Sequence, residues 1–421
     1  MNALLVLDRT ALVATLLTPL LLMHAHGIAE GTMAITGVCF LIRSALTRDW
    51  GWLTTRWLVV GLVWWGWLVF CSLPLPELGL GEGGMHSLVQ AIVTVRFLIF
   101  VAALEHVVLA DPAVRRWLFG ICAACVLWIE SMVLYQWVFW RNIWGAAPAW
   151  GDVLTGPFDK PRAAAPLSRL LLPVLVPVLA RLGLKTRLWP KLGAVALLLA
   201  ALGGLILIGQ TVPVLLVAFG LLICGVLLPR LRPAVLVTAL GATLLVVSLP
   251  VVSPVTYDRL VERAAGILTN FPTTQYGELY ARALEVGLRN PVTGMGYDGF
   301  ATGCPMPKYF RPTFDGRKPD GGGAKICWVH PHNFYFQALT DGGLVGLALF
   351  CTLAAAWLAP LARGLWRYPD PMRVALFAVV FVQLWPVQST TAFTSMPMGG
   401  WFFLLLGWAM AETRHSGPRL P

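Results

Sequence analysis

Stretches of about twenty apolar residues recur from one end of this chain to the other. In hydrocarbon a segment of that length must pair every backbone N–H and C=O within itself, so each reads as a membrane-spanning helix. Composition agrees, with 58% of the 421 residues hydrophobic and 12% charged. The expected fold is an all-α polytopic membrane protein of about twelve spans. They lie near Ala11–Gly27, Met33–Leu46, Trp57–Leu73, Leu88–Ala110, Trp117–Trp140, Ala163–Arg181, Leu192–Gln210, Thr211–Leu228, Ala234–Val252, Phe334–Leu358, Val374–Val387 and Gly399–Ala411.

Lys and Arg in short loops set the orientation. With a cytoplasmic N-terminus, Arg43, Arg48, Arg56, Arg115, Arg116, Lys185, Arg187, Lys191, Arg230, Arg232, Arg363, Arg367, Arg373 and Arg414 all fall inside, whereas the loop Pro74–Ser87 holds Glu77 and Glu82 and no Lys or Arg. The first residues lack the basic and cleavage-site character of a removable signal peptide. Residues 1–252 are thus expected to form about nine spans and 253–333 a large outer loop with short helices. Residues 334–421 complete the bundle with about three spans and a cytoplasmic tail.

The formal charge of +11 largely reflects this inside bias. It does not point to nucleic acid, because the bases are scattered among loops and form no stripe. More informative are bases left outside: Arg141, Lys160, Arg162, Arg259, Arg263, Arg282, Arg289, Lys308, Arg311, Arg317, Lys318 and Lys325. They predict an anionic ligand on that face. Lys160, Arg162 and Arg169 gather at one helix entrance; the competing reading is that they snorkel to the headgroups.

Six cysteines, Cys39, Cys71, Cys122, Cys125, Cys224 and Cys351, lie in apolar spans and read as small buried hydrophobes. Cys304 and Cys327 lie in the long outer loop, where an oxidising compartment favours their pairing, at a stabilisation of about 3 kcal/mol.

That loop begins with an amphipathic helix near Tyr257–Leu268, with Leu260, Ala264 and Ile267 on one face and Arg259, Glu262 and Arg263 toward the other. A second helix near Gly277–Leu288 carries Leu279, Tyr280, Ala283, Leu284 and Leu288 and ends at Asn290-Pro291. Gly294-Met295-Gly296 then reads as a tight turn; without a preceding strand it is weak evidence for a phosphate loop. Pro305–Lys325 lacks periodicity and reads as a flap.

The loop closes on Cys327-Trp-Val-His-Pro-His332, just before an apolar helix. Pro331 favours extended backbone, which would put the rings of His330 and His332 on one side. Three readings compete. One His caps the following helix; Cys304, Cys327, His330 and His332 hold zinc, although their spacing matches no compact metal motif; or an imidazole, with an ordinary pKa near 6.5, moves a proton.

The run His-Pro-His-Asn-x-Tyr-x-Gln followed by Asp-Gly-Gly-Leu-Val-Gly346, with Asn290-Pro-Val-Thr-Gly-Met-Gly-Tyr-Asp-Gly-Phe300 upstream, resembles the signature of the bacterial O-antigen ligase family and its polymerase and pilin oligosaccharyltransferase relatives. The resemblance implies a GT-C-like glycosyltransferase architecture in the inner membrane, with its active site toward the periplasm. The implied reaction joins O-antigen from undecaprenyl pyrophosphate to lipid A–core oligosaccharide. It implies catalytic roles for His332 and His330, and pyrophosphate or sugar contacts for Lys160, Arg162, Arg169, Arg282, Arg263, Arg289, Tyr276 and Asn333. No cofactor or metal is expected, since the outer carboxylates are dispersed.

This sequence departs from the family pattern twice. Where an arginine is common about fifteen residues before Pro291 stands Tyr276, and Gln210-Thr-Val-Pro213 lacks the arginine that commonly follows the turn into that span. An O-antigen polymerase and a lipid-linked glycan flippase are the competing readings. Against the flippase, Arg96, Glu105 and Glu130 are the main ionisable groups within the spans, too few to line a path.

Overall fold

The computed structural model describes residues 3–149, 152–183, 187–310, 322–386 and 391–416. Among them the regular structure is helical, and a helix lies on each of the twelve segments that read as spans. They are α1 (Ala3–His24), α2 (His26–Thr47), α3 (Arg56–Cys71), α4 (Gly84–Val108), α5 (Pro112–Phe139), α6 (Ala164–Gly183), α7 (Leu188–Ile208), α8 (Thr211–Leu227) and α9 (Arg232–Val252). After the long loop, which contributes α10 (Gln275–Arg289), come α11 (Phe334–Ala362), α12 (Pro371–Gln383) and α13 (Met398–Ser416). Among the described residues, eight helices are long and apolar enough to cross a membrane; α3, α8 and α12 are shorter apolar helices.

Their burial follows hydrocarbon logic, with apolar side chains both inside and out. Helix α9 exposes Leu236, Leu240, Leu244, Val247 and Val251, a stripe suited to lipid. By contrast, α13 buries Trp401, Phe402, Phe403, Leu404, Leu405 and Trp408 at the centre of the bundle. Helix α11 packs along α3, and α13 packs along α4, so the C-terminal helices insert among the N-terminal ones. The expected burial of the cysteines holds for five; Cys351 is exposed on α11.

Side-chain contacts identify two opposite ends. At one, Trp57 donates to Glu105, Arg414 pairs with Glu105 at 3.4 Å, Arg115 pairs with Glu412 at 2.8 Å, and Arg43 pairs with Asp8 at 3.0 Å. Arg43, Arg56, His106 and Arg414 line a cavity there. The long loop covers the other end. Lys308 reaches Glu82 of the acidic α3–α4 connection at 3.3 Å, and the Ser87 hydroxyl bonds the Tyr297 carbonyl.

The loop itself differs in detail from its sequence pattern. Its first helix is continuous through Pro254–Tyr257, Asp258–Glu262 and Arg263–Thr269, with a wide π-turn in the middle. Helix α10 begins where the Thr274 hydroxyl accepts from Gly277 N. Its buried face is rotated from the expected one: Leu279 and Ala283 are buried, but so are Arg282 and Glu285, and Leu288 is exposed. Arg282 turns inward because loop carbonyls await it there. The centre of the expected flap, residues 311–321 with Arg311, Arg317 and Lys318, lies outside the described residues.

Candidate functional site

Two sequence motifs meet at a break in α11. Gly343 has φ +66° in mid-helix, and any Cβ there would lie 2.5 Å from the Val292 carbonyl oxygen. Gly294 has φ +61°, and a Cβ on it would stand 2.6 Å from the backbone of Asp341 and Gly342. Only glycine combines that conformation with that approach. The released helix carbonyls find new donors: Met295 N to Thr340 O at 2.8 Å and Gly296 N to Asp341 O at 3.0 Å. Leu344 N donates to Pro291 O at 2.7 Å, and Gly299 N to the buried Asp341 carboxylate at 2.9 Å. Gly294-Met295-Gly296 is therefore a joint that fastens the loop to the bundle, its amides spent on the protein's own carbonyls.

This joint fixes where α11 begins, and hence where the histidines stand. Asn333 caps the helix, its Oδ1 accepting from Tyr335 N at 2.8 Å and Phe336 N at 3.2 Å. Its Nδ2 donates to the Pro386 carbonyl at 2.7 Å, and the Tyr280 hydroxyl also bonds its side chain. Asn333, expected to contact a sugar, is 5% exposed, and its amide makes these internal hydrogen bonds.

His332 immediately precedes this cap with φ +56°. The extended backbone expected on both sides of Pro331 therefore stops at Pro331. A left-handed non-glycine residue costs about 1–2 kcal/mol, and the cap and joint hold it in place. The turn brings the His330 and His332 rings to 4.5 Å, sets Tyr276 edge-on to His332 at 5.6 Å, and places Trp328 at 6.2 Å. Both histidines are half-buried, whereas Trp328 is 51% exposed. Burial, with His332 beside it, pushes the His330 imidazole down to about 4, so that ring is neutral at neutral pH. A neutral His330, an adjacent His332 and two exposed or half-buried aromatics can accept a proton and face a sugar. Trp328 escaped the sequence reading, although it sits in the same run.

Cys304 and Cys327 form a disulfide. Their sulfurs are therefore not available as thiolate ligands for the alternative zinc set. Among the described residues no group of three or more His, Cys, Asp or Glu side chains is arranged to hold a metal.

The predicted cations separate. Arg282 is 3% exposed and donates to the Cys304 and Gly323 carbonyls while lying over the Phe310 ring at 4.7 Å. The guanidinium expected to grip a ligand clamps the disulfide region in this structure. Arg289 is likewise engaged, paired with Glu285 and donating to Lys308 O at 2.6 Å. Arg263 pairs with Asp258 at 2.7 Å on the surface. Arg169 is buried within α6, donating to Ala165 O at 2.9 Å, with its Nε unpaired. Lys160 and Arg162 are exposed at the α6 entrance, and Arg162 lines a small cavity with His26, Phe158 and Trp401. Of the predicted ligand contacts, Tyr276 stands directly beside His332.

These features define a multi-pass helical membrane protein that carries a histidine–aromatic cluster where a folded loop is fastened to one end of its bundle. Residues 195–351 match the family model described as O-Antigen ligase. The match runs from α7 into α11 and contains both histidines, Tyr276, Arg282, the disulfide and the joint at Gly343. No curated protein matches the chain.

Proposed function

We propose that this protein is an O-antigen ligase, a glycosyltransferase that joins O-antigen from undecaprenyl pyrophosphate to lipid A–core oligosaccharide. The observation that carries the reading is the half-buried His332, held in a strained turn against Tyr276 and His330 inside the segment that matches the family. An acceptor hydroxyl attacks the anomeric carbon, that carbon's bond to the pyrophosphate oxygen breaks, and His332 takes the hydroxyl proton. One displacement inverts the anomeric configuration. Undecaprenyl pyrophosphate departs with the bonding pair, and cations at the loop end of the bundle offset its charge.

Sidedness follows from the basic loops. Arg43, Arg56 and Arg414 sit at the end opposite the histidines, which the positive-inside rule assigns to the cytoplasm, so the histidine end faces the periplasm of an inner-membrane protein. On this reading the twelve helices are twelve spans in a GT-C-like arrangement, and residues 253–333 form the periplasmic loop.

The test is transfer by purified protein in liposomes holding both lipid substrates. His332→Asn tolerates the left-handed backbone and should fold normally, yet lose about 100-fold or more of the transfer rate. Wild-type rates in that variant would exclude the proton-transfer role. Offering lipid A–core or lipid-linked repeat units as acceptor separates ligase from polymerase. Product formed from the second alone would favour the polymerase.

A further inference from the structure

The short segment between the disulfide and the cap of α11 holds a large aromatic ring in water. At one end Cys327 is bonded to Cys304, and Arg282 clamps the neighbouring carbonyls of Cys304 and Gly323. At the other, Pro331 is buried, His332 takes its left-handed turn and Asn333 caps the helix. Between these anchors Trp328 is 51% exposed and Val329 67%. Leaving half of an indole in water forgoes stabilisation that its burial would supply.

That ring stands beside the imidazole. The Trp328 and His332 centroids are 6.2 Å apart with their planes at 67°, and Tyr276 also borders His332, at 5.6 Å and 85°. His332 is half-buried and Trp328 exposed, so the indole lies nearer solvent than the imidazole. A pyranose carries C–H groups on its faces and hydroxyls around its rim. An aromatic face takes the first by dispersion and apolar burial, as it does a nucleobase. A sugar at van der Waals distance from the indole, about 4 Å, fits within the span to His332 and can turn a rim hydroxyl toward the imidazole. Trp328, Val329 and Tyr276 carry no charge, so this edge of the cluster suits a neutral sugar face and not a phosphate. Because both ends of the segment are anchored, seating a ligand there orders little that is not already ordered.

We propose that Trp328 is the platform on which the acceptor sugar stacks, and so a residue that sets acceptor affinity. This deepens the reading of the protein as an O-antigen ligase and rests on it for the acceptor's identity, the outer sugar of lipid A–core. In that reading His332 takes the proton of the attacking hydroxyl, so the sugar that bears this hydroxyl is the one beside His332, and the indole next to it is in place for that sugar's face. A sugar of the donor glycan presents the same face chemistry and is the alternative source.

Two measurements on the full chain in phosphatidylcholine nanodiscs test the platform: calorimetric titration with delipidated core oligosaccharide and, separately, with delipidated repeat-unit glycan; and steady-state transfer with each lipid substrate varied in turn. Wild type should bind core oligosaccharide. Trp328→Leu, which keeps an apolar side chain but removes the ring face, should bind it about tenfold more weakly, a loss of about 1.4 kcal/mol, and Trp328→Phe should stay within about threefold of wild type. Trp366→Ala, which removes a 77% exposed indole from the α11–α12 connection, should bind like wild type. In transfer, Trp328→Leu should raise the acceptor KM about tenfold and leave the donor KM unchanged. Equal core binding by wild type and Trp328→Leu, or no binding of either glycan by wild type, would overturn the proposal. If core accepts glycan but Trp328→Leu shifts the donor KM alone, the platform belongs to the donor and the acceptor assignment falls. If core neither binds nor accepts glycan while repeat-unit glycan binds in a Trp328-dependent way, the ligase reading falls and the sugar platform stands.

Discussion

Replacing Asn333 by alanine separates the role that the fold gives this residue from the role its motif implies. The side chain caps α11 through two backbone N–H groups and bonds the Pro386 carbonyl at 2.7 Å. Loss of an N-cap costs about 1 kcal/mol. Pro386 is exposed, so its carbonyl can be rehydrated, and losing that bond costs about another 1 kcal/mol, the net worth of an ordinary hydrogen bond. The Tyr280 hydroxyl also loses its bond to this side chain, so the expected destabilisation of Asn333→Ala is about 2 kcal/mol or more. Asn333→Ser keeps a capping oxygen but cannot span to Pro386, and should lose about 1 kcal/mol. Reversible unfolding in mixed micelles measures both values. Pyrophosphate binding by the folded fraction should be unchanged in either variant. Asn333→Ala with wild-type stability and impaired ligand binding would refute the structural role and restore the ligand contact.

Three further outcomes are expected. Gly294→Ala should destabilise by about 2 kcal/mol or more, since its Cβ meets backbone at 2.6 Å in a left-handed conformation, whereas Gly266→Ala enters open space in a helix and should be neutral or stabilising by up to about 1 kcal/mol; chemical unfolding of the two variants compares them. The His330 imidazole, pushed down to about 4 by burial with His332 beside it, resists a proton that the unfolded ring accepts near 6.5, so stability should rise with pH between those values and fall as pH drops through them; unfolding at stepped pH should show this slope flattened in His330→Gln. Joint replacement of Cys304 and Cys327 by serine should cost about 3 kcal/mol by the loop-entropy account, and matching it by reductant treatment of wild type would assign the loss to the covalent link.

A set of apolar helices was legible in the residues alone, because runs of about twenty apolar residues leave the backbone no other way to pair its polar groups. The sequence also marked the loop with the two unpaired-by-burial cysteines and the histidine run before α11, since polar residues interrupting apolar periodicity are visible locally. What it did not reveal was how the polar side chains would be spent. Arg282 and Arg289 look like free outer cations in the chain, yet three-dimensional packing delivers carbonyls and Glu285 to them. Arg259 looks like one more solvated base on an amphipathic helix; folding carries it to Gly209, distant in the chain, and buries its Nε and Nη2. The Asp-Gly-Gly and Gly-Met-Gly motifs read separately as turns until the broken α11 shows that each completes the other's hydrogen bonds. Helix formation answers to neighbours a few residues away, whereas the partner of a charged group is set by segments that meet only after those helices have packed.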